Sequence, residues 1–386
     1  MEDLLRLISQ AAKENIDWSG IEAVLSSFAI PMSRTQQNPT FHAEGDVWTH
    51  TKMVCEEMVM LDSFRNLTED EQQILFLAAL LHDIGKIPTT RWEGGRWISP
   101  NHTLVGSKMA RQFLWLDMGL CGTPDKMEFR ETVCNLIRYH SFPPYAIDDP
   151  DGKRKLIAIA ANGELCPLFS IELLCVLCEA DALGRVCIDE HDRIHMVEQV
   201  QLCREFVFSL HFPLGPFPFA SDHTKFSYLS GRNIPPEMKL YDDTWGEVHM
   251  LSGLPGTGKD TWVKNITLPM ISLDEIRREM KISPTDNQGK VLEIARERAR
   301  EFLRKKQTFV WNATNLSPQV RAKQIKLFTQ YHASTRIIYL ETDWEEQLRR
   351  NASRTDAVPE QAICHMMEEL VLPEAKEAHK VMWHCI

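Results

Sequence analysis

The chain has 386 residues, 44% hydrophobic and 25% charged, which is more than one ordinary core holds and fits two or three globular domains. No run of eighteen apolar residues occurs, so a membrane-spanning helix is not expected. The net charge of −11 argues against a protein that coats nucleic acid non-specifically, but leaves room for an enzyme that grips a strand end with a few local arginines.

The first segment, MEDLLRLISQAAKENI, sets charged against apolar residues at helical spacing and lacks the basic and apolar regions of a secretion signal, so a cytoplasmic location is expected. Helical periodicity continues through residues 1–210, with apolar clusters at 74–81 and 133–137 that read as buried helices, and few segments read as strands. The ten cysteines show no framework spacing. Cys175-x-x-Cys178 has no second pair to complete a zinc site and reads as reduced core thiols.

Within this half stands Leu80-Leu81-His82-Asp83-Ile84-Gly85-Lys86. A neighbouring His and Asp in an apolar helix are costly to bury unless something satisfies them. A metal ion does so, because imidazole nitrogen and carboxylate oxygen suit first-row ions. His50 lies upstream in DVWTH, Asp181 downstream in CEADALGR, and His102 and His140 are two further candidates. Any one of these histidines alone reads as readily as a structural residue. His191 and His195 fit no position of the pattern and read as surface residues.

The ordered set resembles the HD phosphohydrolase superfamily, in particular the HD domain of some tRNA nucleotidyltransferases, over roughly residues 40–190. The resemblance implies His50, His82, Asp83 and Asp181 around one metal. It also implies His102 and His140 at a second, with Asp83 bridging and Lys86 and Arg185 contacting phosphate. One or two divalent transition metals such as Mn, Ni, Co, Fe or Zn are the expected cofactors. A pair about 4 Å apart would activate water and steady a phosphoester.

Residues 211–245 read as a connector. HFPLGPFPFASDHTKFSYLSGRNIPP holds five prolines and two glycines, and its phenylalanines and Tyr228 suggest a segment packed on a neighbour. From 246 to 386, strand candidates at 247–252, 268–273, 308–312 and 336–341 alternate with helices, which predicts a parallel sheet covered on both faces. The helix around 288–306 puts Val291, Leu292, Ala295, Ala299, Phe302 and Leu303 on one stripe, and pairs Glu301 with Lys305 on the solvated face.

The first of these strands runs into Gly253-Leu254-Pro255-Gly256-Thr257-Gly258-Lys259. Such a loop before a helix cradles phosphates with backbone N–H groups, and Lys259 reaches the β- and γ-phosphates. A Ser or Thr is expected next, to hold Mg²⁺. Here Asp260 follows and then Thr261; a carboxylate can also ligate Mg²⁺, directly or through water. Asp274 in ISLDEIRREM is placed to take a proton from an attacking hydroxyl, although it could equally cap its helix. Arg277 shares its helical face. Arg350 and Arg354 also share a face, suited to charge spread over equatorial phosphate oxygens or to a solvated basic turn.

GLPGTGKDTW, LDEIR, NATNLSPQVR and RRNASRTDAVPE resemble the phage-type 5′-hydroxyl polynucleotide kinase family over residues 246–386. The resemblance implies Asp274 as general base, Arg277 on an acceptor phosphate, and Arg350 and Arg354 as lid arginines over the donor phosphates. It also points to Thr314, Asn315 and Arg321 at the acceptor site, with Ala313 where the family often has Asp. ATP or another NTP with Mg²⁺ is implied.

An all-α HD domain (1–210) followed by an α/β P-loop kinase (246–386) resembles the bacterial HD-Pnk family of end-healing enzymes. That implies RNA or DNA ends as substrates, a polynucleotide ligase as a downstream partner, and no membrane. The residues alone also allow a metabolic enzyme acting on free nucleotides. A non-catalytic ATP-gated regulator would need neither Asp274 nor the paired arginines.

Overall fold

Capping and apolar periodicity set the helices of the N-terminal half. Helix α1 (Val47–Met60) starts at Asp46, whose carboxylate accepts the Thr49 N–H at 2.9 Å. Helix α2 (Glu69–Leu81) opens on a capping box formed by Thr68 and Glu71, and every residue from Ile74 to Leu81 is fully buried. A helix apolar on all sides belongs at the centre of its unit. The half also holds α3 (His102–Gln112), α4 (Pro124–Tyr139) and α5 (Ile171–Leu183), with α1, α2 and α5 in mutual contact. Cys175 and Cys178 are buried free thiols on α5. One antiparallel hairpin, β1 (Arg91–Glu93) with β2 (Arg96–Ile98), departs from the helical expectation.

The computed structural model describes residues 2–11, 15–283, 286–354 and 356–386; part of the N-terminal stretch, at 12–14, lies outside them. The chain divides into two units, Met1–Leu120 with Glu128–Phe217, and Cys121–Met127 with Pro218–Ile386. Within 211–245 a helix, Asp222–Leu229, forms, and Phe212, Phe217 and Tyr228 are buried.

The second unit holds β3 (Trp245–Ser252), β4 (Met270–Ser272), β5 (Val310–Asn312), β6 (Ala333–Glu341) and β7 (Lys380–Cys385), all parallel in the order β4-β5-β3-β6-β7. β7 was not among the expected strands. The helices between them are α6 (Lys259–Lys264), α7 (Leu273–Met280), α8 (Gly289–Arg304), α9 (Pro318–Thr329), α10 (Trp344–Ala352) and α11 (Glu360–Glu369) among the described residues. Val291, Ala295, Ala299 and Leu303 of α8 pack into a core with Phe309 and Trp311, while Leu292 and Phe302 border it. The phosphate loop follows β3, and the carboxyl ends of β4 and β5 deliver Asp274 and Asn312 to the same end of the sheet, where such folds bind ligands. Among the described residues no helix is long and apolar enough to cross a membrane.

Candidate metal centre and phosphate loop

In the helical unit, His50, His82, Asp83, His140 and Asp181 are buried, and His102 is half-buried. The Nδ1 atoms of His82, His102 and His140 lie 2.8, 2.9 and 2.8 Å from the carbonyl oxygens of Ala79, Ser99 and Ile137. A carbonyl only accepts, so each ring carries its proton on Nδ1 and turns the Nε2 lone pair inward. Those Nε2 atoms lie 3.1, 3.5 and 3.9 Å from the Asp83 carboxylate. Lone pairs facing a carboxylate form no hydrogen bond, and His82 Nε2 and Asp83 Oδ1 are buried without a partner. Orphaned acceptors of this kind fit a cation. The ligand atoms gather as three sets among the described residues: His42–Glu44–His50, and His50–His82–Asp83 and Asp83–His102–His140, which share Asp83.

His50 is held between two carboxylates. Its Nδ1 lies 3.0 Å from Glu44 Oε1 and 3.2 Å from the Gly184 carbonyl, and its Nε2 lies 3.0 Å from Asp181 Oδ1. Burial works to lower the His50 pKa, but Asp181 and Glu44 outweigh it and the pKa is raised. A proton on Nε2 occupies the direction in which a metal would sit. Burial likewise works to raise the Asp83 pKa, yet the cationic surroundings, with the Lys86 ammonium 2.6 Å away, hold it well below the usual carboxylate range.

The two cations expected to meet phosphate are already paired. Lys86 Nζ lies 2.6 Å from Asp83 Oδ2 and donates to Gln37 Oε1 at 2.8 Å. Arg185 clasps Asp181 with two bonds, at 2.6 and 3.2 Å. Gly85 is needed for close approach. A Cβ there would lie 2.0 Å from the His102 carbonyl oxygen, so only glycine lets the start of α3 bring His102 to Asp83.

Sequence reasoning missed Glu44 and His42. Glu44 Oε1 lies 2.8 Å from His42 Nδ1, and Oε2 accepts the Val186 N–H at 3.0 Å. Burial, then the nearby Lys86, pushes His42 down to about 3. Both sit in the loop FHAEGD ahead of α1, where no helical period marks them. His191 and His195 are exposed.

In the second unit the loop glycines Gly253, Gly256 and Gly258 have φ of 144°, 85° and 85°. At Gly256 a Cβ would also lie 2.5 Å from the Gln347 carbonyl oxygen, so neither conformation nor space admits another residue. Lys259 Nζ donates to the Gly253 and Leu254 carbonyls at 2.8 and 2.7 Å, and the Thr257 hydroxyl donates to Leu254 at 2.9 Å. Burial pushes Lys259 down to about 8, against the pull of Asp260. Asp260 is exposed, and its Oδ1 accepts from Asn312 Nδ2 at 2.9 Å. Thr261 is exposed.

Asp274 is not the helix cap. Ser272 fills that role by accepting the Glu275 N–H at 3.3 Å, which leaves Asp274 in the first turn with a 58% exposed side chain. It pairs with Arg277, and Arg354 Nη2 lies 3.6 Å away. Arg277 also donates to Gln288 at 2.7 Å. Arg350 pairs with Glu346 at 2.6 Å, and its Nη1 would lie 3.2 Å from a Cβ on Gly258. Asp274, Arg350 and Arg354 thus gather around the loop.

One expected acceptor contact requires correction. Arg321 is fully buried, and all five of its N–H groups are engaged, by Glu377 and by the carbonyls of Asn315, Val371 and Leu372. Asn315 is buried with φ 47°, and its amide donates to the Leu251 carbonyl at 2.6 Å. Both brace the end of β3, and Arg321 has no N–H free for a substrate. Thr314 is half-buried, and its carbonyl accepts the Gly253 N–H at 3.0 Å.

Comparison with known families gives two matches. A model described as HD domain matches residues 47–185, and one described as AAA domain matches residues 248–373. The chain therefore carries an HD domain and a P-loop kinase-like domain.

Proposed function

We propose that the protein heals both ends of a broken nucleic-acid strand. The P-loop unit transfers the γ-phosphate of an NTP to a 5′-OH end. The HD unit hydrolyses a 2′,3′-cyclic phosphate, or a 2′- or 3′-phosphate, at the other end. One observation carries this reading: one chain holds a His–Asp cluster built for divalent metal and a phosphate loop ringed by Asp274, Arg350 and Arg354. Cleavage that leaves a 2′,3′-cyclic phosphate also leaves a 5′-OH, so the two chemistries answer one break, and a ligase can then seal it.

In the kinase unit, loop N–H groups from Gly256 to Lys259 hold the donor phosphates, and Lys259 exchanges its carbonyl partners for phosphate oxygens. Asp274 accepts the proton of the attacking 5′-OH, and its exposure leaves it open to a strand end. Arg277 contacts the acceptor phosphate, and Arg350 and Arg354 stabilise charge on the transferring group. Asp260, steered by Asn312, stands where a hydroxyl usually meets Mg²⁺.

In the HD unit, His50, His82, Asp83 and Asp181 would hold one ion, and Asp83, His102 and His140 a second. Bound divalent metal supplies a water nucleophile and a Lewis acid. The carbonyl-anchored rings keep their Nε2 atoms aimed inward, and Lys86 and Arg185 orient the phosphate.

The test is an RNA with a 5′-OH and a 2′,3′-cyclic phosphate, incubated with ATP, Mg²⁺ and a transition metal, with both ends analysed. Phosphorylation and cyclic-phosphate loss are both expected. Activity confined to mononucleotides would replace this reading with one of nucleotide metabolism.

A further inference from the structure

The hairpin β1–β2 has no role in the chemistry above, yet it is rooted at the metal cluster. Gly94 and Gly95, at φ 60° and 80°, form its turn. Trp92 and Trp97 are cross-strand partners, so both indoles stand on one face, with ring centroids 5.3 Å apart in an edge-to-face pair. Trp92 is 59% exposed. Arg91, Glu93 and Arg96 share the opposite face. Glu93 pairs with Arg91, and Arg96 is exposed with no ion-pair partner among the described residues. At the base, the hydroxyls of Thr90 and Ser99 are 2.8 Å apart, and the Ser99 carbonyl is the one that fixes His102 Nδ1. The ribbon is thus tied directly to a candidate metal ligand. A second exposed ring, Tyr145, lies within electrostatic reach of Arg185, which clasps Asp181.

We propose that this hairpin is a stacking platform for single-stranded nucleic acid, on which a base upstream of the 3′ end lies against Trp92 while Arg96 meets a phosphate. The physical case is charge, surface and continuity. A two-stranded ribbon is only marginally stable alone, and the indole pair and the Thr90–Ser99 bond hold this one in place. A narrow ribbon with a large exposed aromatic on one face and, among the described residues, a guanidinium without an ion-pair partner on the other suits an occupant that is both polyanionic and flat-faced and that can wrap its edge, and single-stranded nucleic acid is such a chain. With a net charge of −11, the chain must attract a polyanion through such local cations. A mononucleotide seated at the metals has no nucleotide upstream of the one that bears the phosphate, so the platform acts only on polymers.

This inference rests on the phosphoesterase reading of the HD unit, and the test separates the two. Full-length wild type and Trp92→Ala are assayed on a ten-nucleotide strand ending in a 2′,3′-cyclic phosphate and on the mononucleoside 2′,3′-cyclic phosphate. The variant is expected to raise the KM for the strand about tenfold, with kcat and all mononucleotide constants unchanged, and Trp92→Phe should restore most of the loss. Arg96→Ala should weaken strand binding and flatten its salt dependence. An unchanged strand KM, or an equal shift on both substrates, overturns the proposal. So does a change in oligomeric state by sedimentation without a change in KM, which would make the hairpin a protein contact. If wild type hydrolyses neither substrate, the phosphoesterase reading fails instead. Anisotropy of a labelled single strand with wild type and Trp92→Ala then still decides the hairpin: equal affinities sink it.

Discussion

The His–Asp cluster and the phosphate loop are both suited to phosphate chemistry, but their side chains are held in opposite ways. The cluster is buried among helices, and three of its imidazoles are pinned by backbone carbonyls one turn earlier. Its polarity is settled before any substrate arrives. The loop lies at the open end of a sheet, where Asp274 and Arg350 are partly exposed and paired with neighbours they must release. A dry site gains electrostatic strength from rigid dipoles, and an open site gains access for a large acceptor. The difference predicts that the cluster is sensitive to any change in its supporting shell, whereas the loop is sensitive chiefly to residues that touch nucleotide or strand.

The largest break should come from Asp83→Ala, which removes the ligand that two of the sets share. Phosphoesterase turnover should fall at least about 10³-fold and bound transition metal should drop, with kinase activity intact. Elemental analysis of the purified variant beside both assays checks it. Next, Arg354→Ala should lower 5′ phosphorylation about 10²-fold in kcat, with the HD activity unchanged, in steady-state assays of both ends.

A third change sharpens the contrast between shells. Glu44→Gln keeps the size of the residue behind His50 but removes its charge. Metal affinity in a competition titration should weaken 10- to 100-fold, while the unfolding temperature of the chelated protein stays the same. Loss of folding with unchanged metal affinity in the surviving fraction would refute a positioning role.

The smallest effect on activity should come from pH acting through His379. Its Nδ1 lies 3.2 Å from the Thr335 N–H and 2.9 Å from its hydroxyl, and burial, helped by His223, pushes its pKa down from 6.5 to about 4. The unfolded state then binds the proton more readily. This stability is present in full above pH 6.5 and is lost as pH falls toward 4, by at most about 3 kcal/mol. Denaturant unfolding of the transition that MgATP shifts, in wild type and His379→Gln, should show the acid loss only in wild type.

Much of both sites could be read in the sequence because their chemistry is concentrated in short segments. The loop glycines, Lys259 and the His82–Asp83 pair are adjacent in the chain, and the strand and helix periods around them are strong. What escaped came from loops or from burial. Glu44 reaches His50 from a segment with no period, and β7 is a strand whose pattern, KVMWHC, mixes polar and apolar residues at an edge of the sheet. Arg321 looked like a substrate contact because an arginine in a motif suggests phosphate. Only the structure shows its five donors spent on Glu377 and three carbonyls. Asp274 reads in the sequence as either base or cap, and the structure gives the capping role to Ser272.

The claim that two independent centres serve two strand ends is tested most directly on a single RNA bearing a 5′-OH and a 2′,3′-cyclic phosphate. Lys259→Ala should leave the 5′ end bare and open the cyclic phosphate at the wild-type rate, and Asp83→Ala should do the reverse. Mixing the two variants should restore both products. If either substitution, in a folded protein, abolishes both reactions, the two-centre account is wrong.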